Sequence, residues 1–412
     1  MSGHIHDKTA KTEGDASTEL TRRCFLRGVS VSALCLASLG LPVCTRAEGD
    51  GIGAADDVED VSGPTRGYIE AVESPYYMPL SGDRVMCLLC PRGCTVEEGS
   101  RGYCEVRENR DGAYYSLVYA NPCAVHVDPI EKKPLFHVLP GTGSFSIATA
   151  GCNLTCKFCQ NFEISQALPE DTINYRLTPK TLAKLAGDYL CKSVAYTYVE
   201  PTIFYEYMIE CAKEVKSAGL VNVMHSNGYI NPTPRNELAK YLTAANIDLK
   251  GFSESFYAEL AEGTLAPVLD SIAGYRKAGV FVEITNLVIP TKNDDMAMIR
   301  DMARWIKSDV GADTPLHFSR FHPMYQLKNI PNTPLETLME AHAVAKEEGL
   351  EYVYIGNVPG NKFESTYCPD CGEMILFRAG YFVGEMKIDD GVCRFCGYPI
   401  SGVWEMPENG PE

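Results

Sequence analysis

The chain has 412 residues, of which 45% are hydrophobic and 22% are charged. This size and composition suit a globular protein with one large core and smaller appendages. The formal net charge of −17 disfavours non-specific binding to nucleic acid, so we predict no nucleic-acid partner.

Cysteine is the most informative residue type, because eleven of the seventeen cysteines fall into three tight clusters. C-x2-C pairs have the spacing of metal ligands, whereas disulfide frameworks spread their cysteines between loops. The clusters therefore predict metal sites rather than disulfides. We call them the knuckle (Cys87, Cys90, Cys94, Cys104), the cysteine triad (Cys152, Cys156, Cys159) and the ribbon cysteines (Cys368, Cys371, Cys393, Cys396).

The amino terminus has the pattern of a twin-arginine export signal. Arg22 and Arg23 precede a moderately apolar run from Gly28 to Val43. This run is shorter than the roughly 20 apolar residues of a membrane span. We therefore predict a signal region at 1–47, export to the periplasm or beyond, and no membrane span other than an uncleaved signal. A cytoplasmic location is the alternative.

Two regions separate this signal from the centre of the chain. Residues 48–80 are rich in Gly, Asp, Pro and Ser, which predicts a linker. Residues 81–142 contain the knuckle, whose Pro and Gly residues favour turns that present thiolates to a metal. Four thiolates suit either zinc or a second [4Fe–4S] cluster, and the sequence leaves both open.

The cysteine triad has the spacing C-x3-C-x2-C and follows an apolar run of small residues at 144–150. A cubane [4Fe–4S] cluster normally takes four thiolates, so three of them leave one iron without a protein ligand. An open coordination position is how a metal site meets a substrate. This pattern resembles the radical S-adenosylmethionine (SAM) superfamily. A zinc site or a disulfide set is the less favoured interpretation.

Over residues 85–405 the chain resembles one particular group within this superfamily. CLLCPRGC, DPIEKKPLFH, GCNLTCKFCQN and a C-terminal four-cysteine ribbon follow one another as in the radical SAM protein of the AmmeMemoRadiSam system. That group is related to the activating enzymes of glycyl-radical enzymes such as pyruvate formate-lyase. The spacing alone does not say what DPIEKKPLFH does, and its charged residues would also suit closure of one end of a barrel.

The resemblance implies a [4Fe–4S] cluster on the cysteine triad and SAM on the open iron. Reductive cleavage of SAM would give a 5′-deoxyadenosyl radical, which would abstract a hydrogen from a protein or from a small molecule. The partners expected are an electron donor of the flavodoxin or ferredoxin type and a protein substrate.

Residues 143–360 alternate between strand and helix patterns, which predicts a parallel sheet wrapped by helices. The expected fold is α/β, a partial (β/α)6-type TIM barrel of the radical SAM kind. Residues at the carboxyl ends of the strands carry the chemistry in such barrels. The predicted strands are 144–150, 193–199, 221–225, 245–249, 280–288, 315–320 and 351–355.

The resemblance assigns SAM contacts to residues at these strand ends. They are Phe158 near the adenine, Glu200 at the amino group, Asn227 in an Asn–Gly turn, Asp248 and Lys250 at the carboxylate and ribose, and Asn286 at the ribose. Glu283 is the alternative to Asn286, and a structural ion pair is the alternative role of Asp248 and Lys250. Arg320 and His322 are two residues apart in one predicted strand, so their side chains would point to the same face. Both are candidates for the substrate side.

Residues 361–412 contain the ribbon cysteines as two C-x2-C pairs, which predicts a zinc ribbon around a short hairpin at 379–381. A small appendage buries little core, so a metal is its natural source of stability. We favour a structural role over docking of a protein substrate.

A second functional hypothesis is an exported iron–sulfur electron-transfer or metal-binding protein without SAM chemistry. It arises because SAM and strong reductants are cytoplasmic, whereas the leader indicates export. The presence of Glu200, Asn227, Asp248 and Lys250 favours the enzyme instead.

Overall fold

The computed structural model describes residues 63–407, so the predicted signal with Arg22 and Arg23 lies outside the described residues. Short antiparallel strands come first, followed by a large mainly parallel sheet with helices and by a small C-terminal ribbon. No helix within 63–407 is long and apolar enough to cross a membrane.

Two three-stranded antiparallel sheets surround the knuckle, in the orders β3-β4-β5 and β2-β7-β6. Residues 65–79, which the sequence predicted as part of a linker, instead form three short strands. These strands pair with later segments of the chain through backbone hydrogen bonds. The strands are β1 (Thr65–Arg66), β2 (Val72–Glu73), β3 (Tyr77–Pro79), β4 (Val85–Cys87), β5 (Thr95–Val96), β6 (Arg107–Arg110) and β7 (Ala113–Ser116).

The central sheet has eight strands in the order β16-β15-β14-β13-β12-β11-β9-β8. Its strands and the short β10, which pairs with β1, are β8 (Ala124–Pro129), β9 (Gly143–Ala148), β10 (Ile173–Asn174), β11 (Ser193–Tyr196), β12 (Val221–Ser226), β13 (Ala244–Asp248), β14 (Phe281–Val288), β15 (Leu316–Arg320) and β16 (Val353–Gly356). All neighbours from β9 to β16 are parallel. The edge strand β8 is antiparallel and belongs to this sheet, although the sequence assigned it to the N-terminal region.

Helices make the crossovers between these parallel strands. They are α1 (Phe162–Ser165), α2 (Pro179–Asp188), α3 (Tyr205–Ser217), α4 (Pro232–Ala239), α5 (Glu254–Phe256), α6 (Ala266–Lys277), α7 (Met296–Trp305) and α8 (Leu335–Glu347), with π-helical turns at Tyr257–Ala261 and Ile306–Val310 and 3-10 turns at Ile130–Lys132, Pro201–Phe204 and Lys362–Glu364. Six strand–helix units therefore precede the last parallel strand, which confirms the predicted (β/α)6-type arrangement.

Local signals explain where the helices begin. Thr178 accepts a hydrogen bond from the Thr181 amide at the start of α2, and Pro179 occupies the first helical position. Asp295 caps α7 in the same way. Both helices lie between strands, as the alternating strand and helix patterns of residues 143–360 predict.

The DPIEKKPLFH segment fills the inside of the partial barrel. Ile130 and Leu135 pack with residues at the amino ends of the strands, such as Val221 and Ala244, in one buried cluster. Lys132 and Lys133 lie on the other side of the segment and line a cavity at the carboxyl ends. The segment thus closes the bottom of the barrel and forms the floor of the site.

The ribbon is antiparallel and packs against the last strands of the barrel. Its hairpin turns at Gly380 and Tyr381, as predicted. Phe136 and Tyr354 of the barrel share a buried cluster with Ile375 of the ribbon. The strands are β17 (Thr366–Tyr367), β18 (Met374–Ala379), β19 (Phe382–Met386), β20 (Ile388–Asp389) and β21 (Val392–Cys393).

Candidate active site

A cavity of about 410 Å³ opens at the carboxyl ends of the parallel strands. The cysteine triad lines it, together with residues that end or follow β11, β12, β13, β14 and β15. Lys132 from one edge of the sheet and Asn357 from the other both reach it, so the sheet curves around a common space. This is the end of such a barrel where catalytic groups are found.

The loop after β9 carries the cysteine triad into this cavity. The Cys159 amide donates to the Cys156 carbonyl at 3.0 Å, and the Cys159 sulfur lies 3.2 Å from Ser165 Oγ. Burial raises the pKa of the Cys156 thiol to about 11 against the opposing effect of Lys250, so a metal cation would be needed to hold it as thiolate. Three thiols that face one cavity fit a [4Fe–4S] cluster with one open iron.

Phe158 lies in the wall of the same cavity and is buried. Its ring packs against Phe256 at a centroid distance of 6.0 Å, and Lys250 Nζ lies 5.8 Å from the ring centroid. The structure therefore places an aromatic face next to the triad, as the sequence predicted.

Glu200 is buried in the cavity wall and receives several hydrogen bonds. Oε1 accepts from the amide and hydroxyl of Thr202 at 3.0 and 2.6 Å and from Ser226 Oγ at 2.8 Å, and Oε2 accepts from the Asn227 amide at 2.7 Å. Burial raises the pKa of Glu200, which these donors oppose. Ser226 Oγ also lies 3.0 Å from Oε2, so its hydroxyl is shared between the two oxygens and the four donor groups match the roughly four acceptor positions of a carboxylate.

Asn227 connects the strand end after β12 to the triad loop. Its Nδ2 donates to Asn153 Oδ1 at 2.9 Å, and its Oδ1 accepts from the Tyr229 amide at 2.8 Å. Asn153 in turn donates to the Tyr229 carbonyl at 2.8 Å. Asn227 thus lines the cavity with its side chain already held in one orientation.

Asp248, Lys250 and His225 form a charged group on the cavity wall. Asp248 accepts from Lys250 Nζ at 2.8 Å and lies 2.9 Å from His225 Nε2. Burial alone would raise the pKa of Asp248, but Lys250 and His225 hold it well below its usual range. Burial would likewise lower the pKa of Lys250, and Asp248 raises it instead. Both groups are therefore charged at neutral pH, and the predicted ion pair exists inside the cavity.

Asn286 does not face the cavity, which corrects its assignment to the ribose. It is fully buried and donates to the Leu249 carbonyl at 2.7 Å. Because side chains alternate along a strand, Thr285 and Leu287 line the cavity instead. Thr285 Oγ1 is buried without a hydrogen-bond partner, so it offers an unused polar group at this position.

Arg320 and His322 are also absent from the cavity wall, which corrects the expectation that both point into the barrel. Arg320 Nε donates to the Thr333 carbonyl at 2.8 Å, and the exposed His322 lies 3.1 Å from Asn332 Oδ1. Ser319 reaches the cavity, so the parity of β15 is the opposite of the expected one.

The sequence analysis did not single out one further polar group. Lys132, Lys133 and Tyr198 line the cavity, and Asp128 binds all three of them. Asp128 accepts from Lys132 at 2.9 Å, from Lys133 at 2.5 Å and from the hydroxyl of Tyr198. Burial would raise the pKa of Asp128, but the two lysines keep it far below its usual range. Tyr198 has φ of 67°, a strained conformation for an aromatic residue that is often found at functional sites. In the sequence, the charged DPIEKK segment was the feature that could have indicated this group, but its spacing did not reveal its role.

The other two cysteine sets lie outside this cavity. The ribbon sulfurs converge, with Cys368 and Cys396 3.6 Å apart and Cys371 and Cys393 3.8 Å apart. A tetrahedral ion with metal–sulfur bonds of about 2.3 Å requires such separations, so the ribbon can hold one metal ion. The knuckle surrounds a second, smaller cavity next to the triad loop.

Comparisons with known proteins agree with this geometry. The sequence model of the radical SAM superfamily matches residues 146–306. Uncharacterized protein MJ0808 of Methanocaldococcus jannaschii is 44% identical over 331 residues, which cover 80% of this chain and 98% of that protein. The chain belongs to the radical SAM superfamily, and membership implies a [4Fe–4S] cluster and SAM.

The chain also has weaker likenesses. Uncharacterized protein MJ0674 of the same archaeon is 33% identical over 125 residues, covering 28% of this chain and 31% of that protein. A radical SAM methyltransferase from Sphaerobacter thermophilus aligns with 76% of this chain and 82% of its own, at 12% identity and a TM-score of 0.43. A domain of the pyruvate-formate lyase-activating enzyme from Bacteroides vulgatus aligns with 40% of this chain and 98% of its own, at 17% identity and a TM-score of 0.36. Since both TM-scores are low, the family assignment rests on the sequence matches.

Proposed function

We propose that this protein cleaves SAM reductively at a [4Fe–4S] cluster on the cysteine triad and abstracts a hydrogen atom from a substrate in the adjoining cavity. The observation that carries the proposal is that one cavity of about 410 Å³ brings the triad together with Phe158, Glu200, Asn227, Asp248 and Lys250. When bound, cluster and SAM supply a 5′-deoxyadenosyl radical. The protein supplies binding, orientation and shielding.

The polar groups of the cavity suit the parts of SAM. The amino group would meet Glu200 Oε2 in place of Ser226 Oγ, which keeps its hydrogen bond to Oε1. Lys250 can donate to the carboxylate while it remains paired with Asp248. Thr285 Oγ1 replaces Asn286 as the group facing the ribose, because it is buried, unpartnered and in the cavity wall. Phe158 offers its ring to the adenine.

The substrate side is proposed to be the part of the cavity lined by Lys132, Lys133 and Tyr198, which Asp128 holds together. Lys132 is 43% exposed and can meet an acceptor on the substrate, whereas Lys133 is buried and holds Asp128 and Tyr198 in place. The strained backbone of Tyr198 is maintained by Asn161, whose Nδ2 donates to its carbonyl at 2.6 Å. These groups are assigned to the substrate because the contacts proposed for SAM leave them unused.

We propose a protein segment as the substrate, as in an activase. Tyr381 at the tip of the ribbon hairpin lines the cavity and is 56% exposed, and its neighbour Phe382 is 66% exposed. An exposed aromatic pair at the mouth of a cavity suits contact with an extended polypeptide. The electron donor is proposed to be of the flavodoxin or ferredoxin type.

The test is anaerobic reconstitution and reduction, followed by addition of SAM and chromatography for 5′-deoxyadenosine. We expect product from the wild type and none from Cys156→Ala. Glu200→Gln should weaken SAM binding without loss of iron, whereas the exposed Glu214→Gln should not. A wild type that binds SAM but yields no product would show that a partner is required. A protein that binds no SAM would overturn the proposal in favour of an electron carrier.

Export by the twin-arginine pathway is proposed separately, on Arg22 and Arg23 alone. Fractionation of cells that express wild type or Arg22→Lys/Arg23→Lys tests it. We expect the double variant to stay in the cytoplasm, and an unchanged distribution would mean that the leader does not direct export.

A further inference from the structure

The knuckle sulfurs are arranged differently from the ribbon sulfurs. Within residues 63–407, the ribbon cysteines are the group whose ligand atoms all lie within 4.8 Å of one another. No three of the knuckle sulfurs meet this limit, and neither do those of the cysteine triad. A single tetrahedral ion needs converging sulfurs, whereas a cubane cluster places its ligands farther apart on separate irons. The separation between the knuckle sulfurs is therefore that of a cluster site.

The space between the knuckle sulfurs is a cavity of its own. All four cysteines line it, along with the apolar Leu89 and Ile203 and the ring of Tyr114. The water-accessible part of this space is about 20 Å³, so its four thiols, and not its size, suit a metal group held by thiolates.

A buried cation also lines this cavity. Arg107 is 1% exposed and pairs with Glu206 at 2.5 Å, and it donates to the Ile203 carbonyl at 3.1 Å. Its Nε is buried and has no hydrogen-bond partner. An unused donor beside four thiolates can bond to a sulfur, which is one of the means by which proteins tune a cluster's reduction potential.

The knuckle is in direct contact with the loop that carries the cysteine triad. Gly151, with φ of 89°, approaches so closely that a Cβ there would lie 2.6 Å from the Cys104 carbonyl oxygen. Arg92 donates to the carbonyl of Asn153, and Tyr103 Oη lies 2.6 Å from Thr155 Oγ1. Cys104 therefore lies directly beside the residue that precedes Cys152.

We infer that Cys87, Cys90, Cys94 and Cys104 bind a second [4Fe–4S] cluster that passes single electrons to the cluster on the cysteine triad. The donor, a protein of the flavodoxin or ferredoxin type, loses one electron as the knuckle cluster gains it. The knuckle cluster is reoxidised as the triad cluster is reduced, so no proton or further reactant is needed. This electron-transfer role rests on the proposed function, whereas the cluster site does not.

The site is tested by metal analysis and Mössbauer spectroscopy of the full chain purified anaerobically. Wild type should hold about eight iron atoms, and Cys152→Ala/Cys156→Ala/Cys159→Ala should retain about four with equal sulfide. Cys87→Ala/Cys104→Ala should lose the knuckle iron only, and Cys123→Ala serves as the control. A wild type with about four iron atoms and two zinc ions would overturn the inference without any variant.

The electron-transfer role is tested by comparing reductants. Cys87→Ala/Cys104→Ala should cleave SAM with titanium(III) citrate, a small reductant, and lose at least tenfold in rate with flavodoxin. Equal rates with both reductants would refute the relay. If the wild type cleaves no SAM with either reductant, the proposed function fails while the iron count still decides the cluster site.

Discussion

The knuckle and the ribbon each have four cysteines that include a C-x2-C pair, but their sulfurs are arranged differently in space. The ribbon sulfurs converge to 3.6 and 3.8 Å, and two of their residues, Cys371 and Cys396, are exposed. The knuckle cysteines surround a cavity, next to a buried arginine and the triad loop. Spacing along the chain therefore identifies metal ligands, but their arrangement in space decides which metal group fits and whether it can serve the reaction.

The largest expected difference between the two regions follows from removing the ribbon metal, proposed here to be zinc. Cys368→Ala should release about one zinc and unfold the ribbon, because structural zinc contributes about 10–16 kcal/mol to folding of such small units. The iron content should not change. Metal analysis and hydrogen exchange of 366–393 check this, and retained protection of these residues would contradict it.

The second prediction compares buried and exposed ion pairs. Glu206→Gln leaves Arg107 buried without its counter-charge and should cost about 3–5 kcal/mol in the free energy of unfolding. Asp389→Asn in the ribbon removes an exposed partner of Arg394, with no measurable shift expected. Chemical denaturation of both variants is the measurement. Similar losses in both would show that burial of Arg107 is not what makes its pair important.

The third prediction compares two glycines with positive φ. Gly380→Ala in the ribbon meets no atom within 4 Å and should cost only about 1–2 kcal/mol for the left-handed backbone. Gly151→Ala adds a clash with the Cys104 carbonyl and Val106, so it should cost about 1–3 kcal/mol more. Denaturation midpoints test the difference, and equal costs would mean that the knuckle is free to move away from the triad loop.

The last prediction concerns how pH acts on the contact between ribbon and barrel. His137 lies 2.6 Å from both the Ser401 carbonyl oxygen and Tyr354 Oη. Burial lowers the pKa of His137 to about 4, although Glu283 opposes this. The unfolded chain therefore binds more protons between about pH 6.5 and 4, so stability is full above this range and falls as pH decreases through it.

Between pH 7 and 5 this loss should be about 2 kcal/mol for His137. Burial also lowers the pKa of His342 to about 4, so wild type should lose about twice as much as His137→Gln. Thermal unfolding at both pH values checks this. An equal pH dependence in wild type and variant would show that His137 is not the titrating group.

The fold and the triad were largely predictable from the sequence. Seven parallel strands and their helices follow from alternating hydrophobic patterns, and the structure confirms them. The triad spacing, Phe158 and the Asp248–Lys250 pair indicated one site, because strand ends of a barrel meet at one rim. The cavity contains all of them.

Side-chain direction was not predictable to the same extent. Thr285 rather than Asn286 faces the cavity, and Ser319 rather than Arg320, because a shift of one residue reverses the face of a strand. The role of DPIEKKPLFH was equally hidden, since its apolar residues pack in the barrel core while its lysines line the floor. Only packing inside a curved sheet separates these two sets.

The sequence by itself determined which cysteines form candidate metal sites and which segments form strands and helices, because these depend on residue type and local spacing. The tertiary structure alone decided how far apart the sulfurs of each cysteine set lie, and that the knuckle contacts the triad loop at Gly151. Those distances depend on how separate segments pack, and no local pattern encodes them.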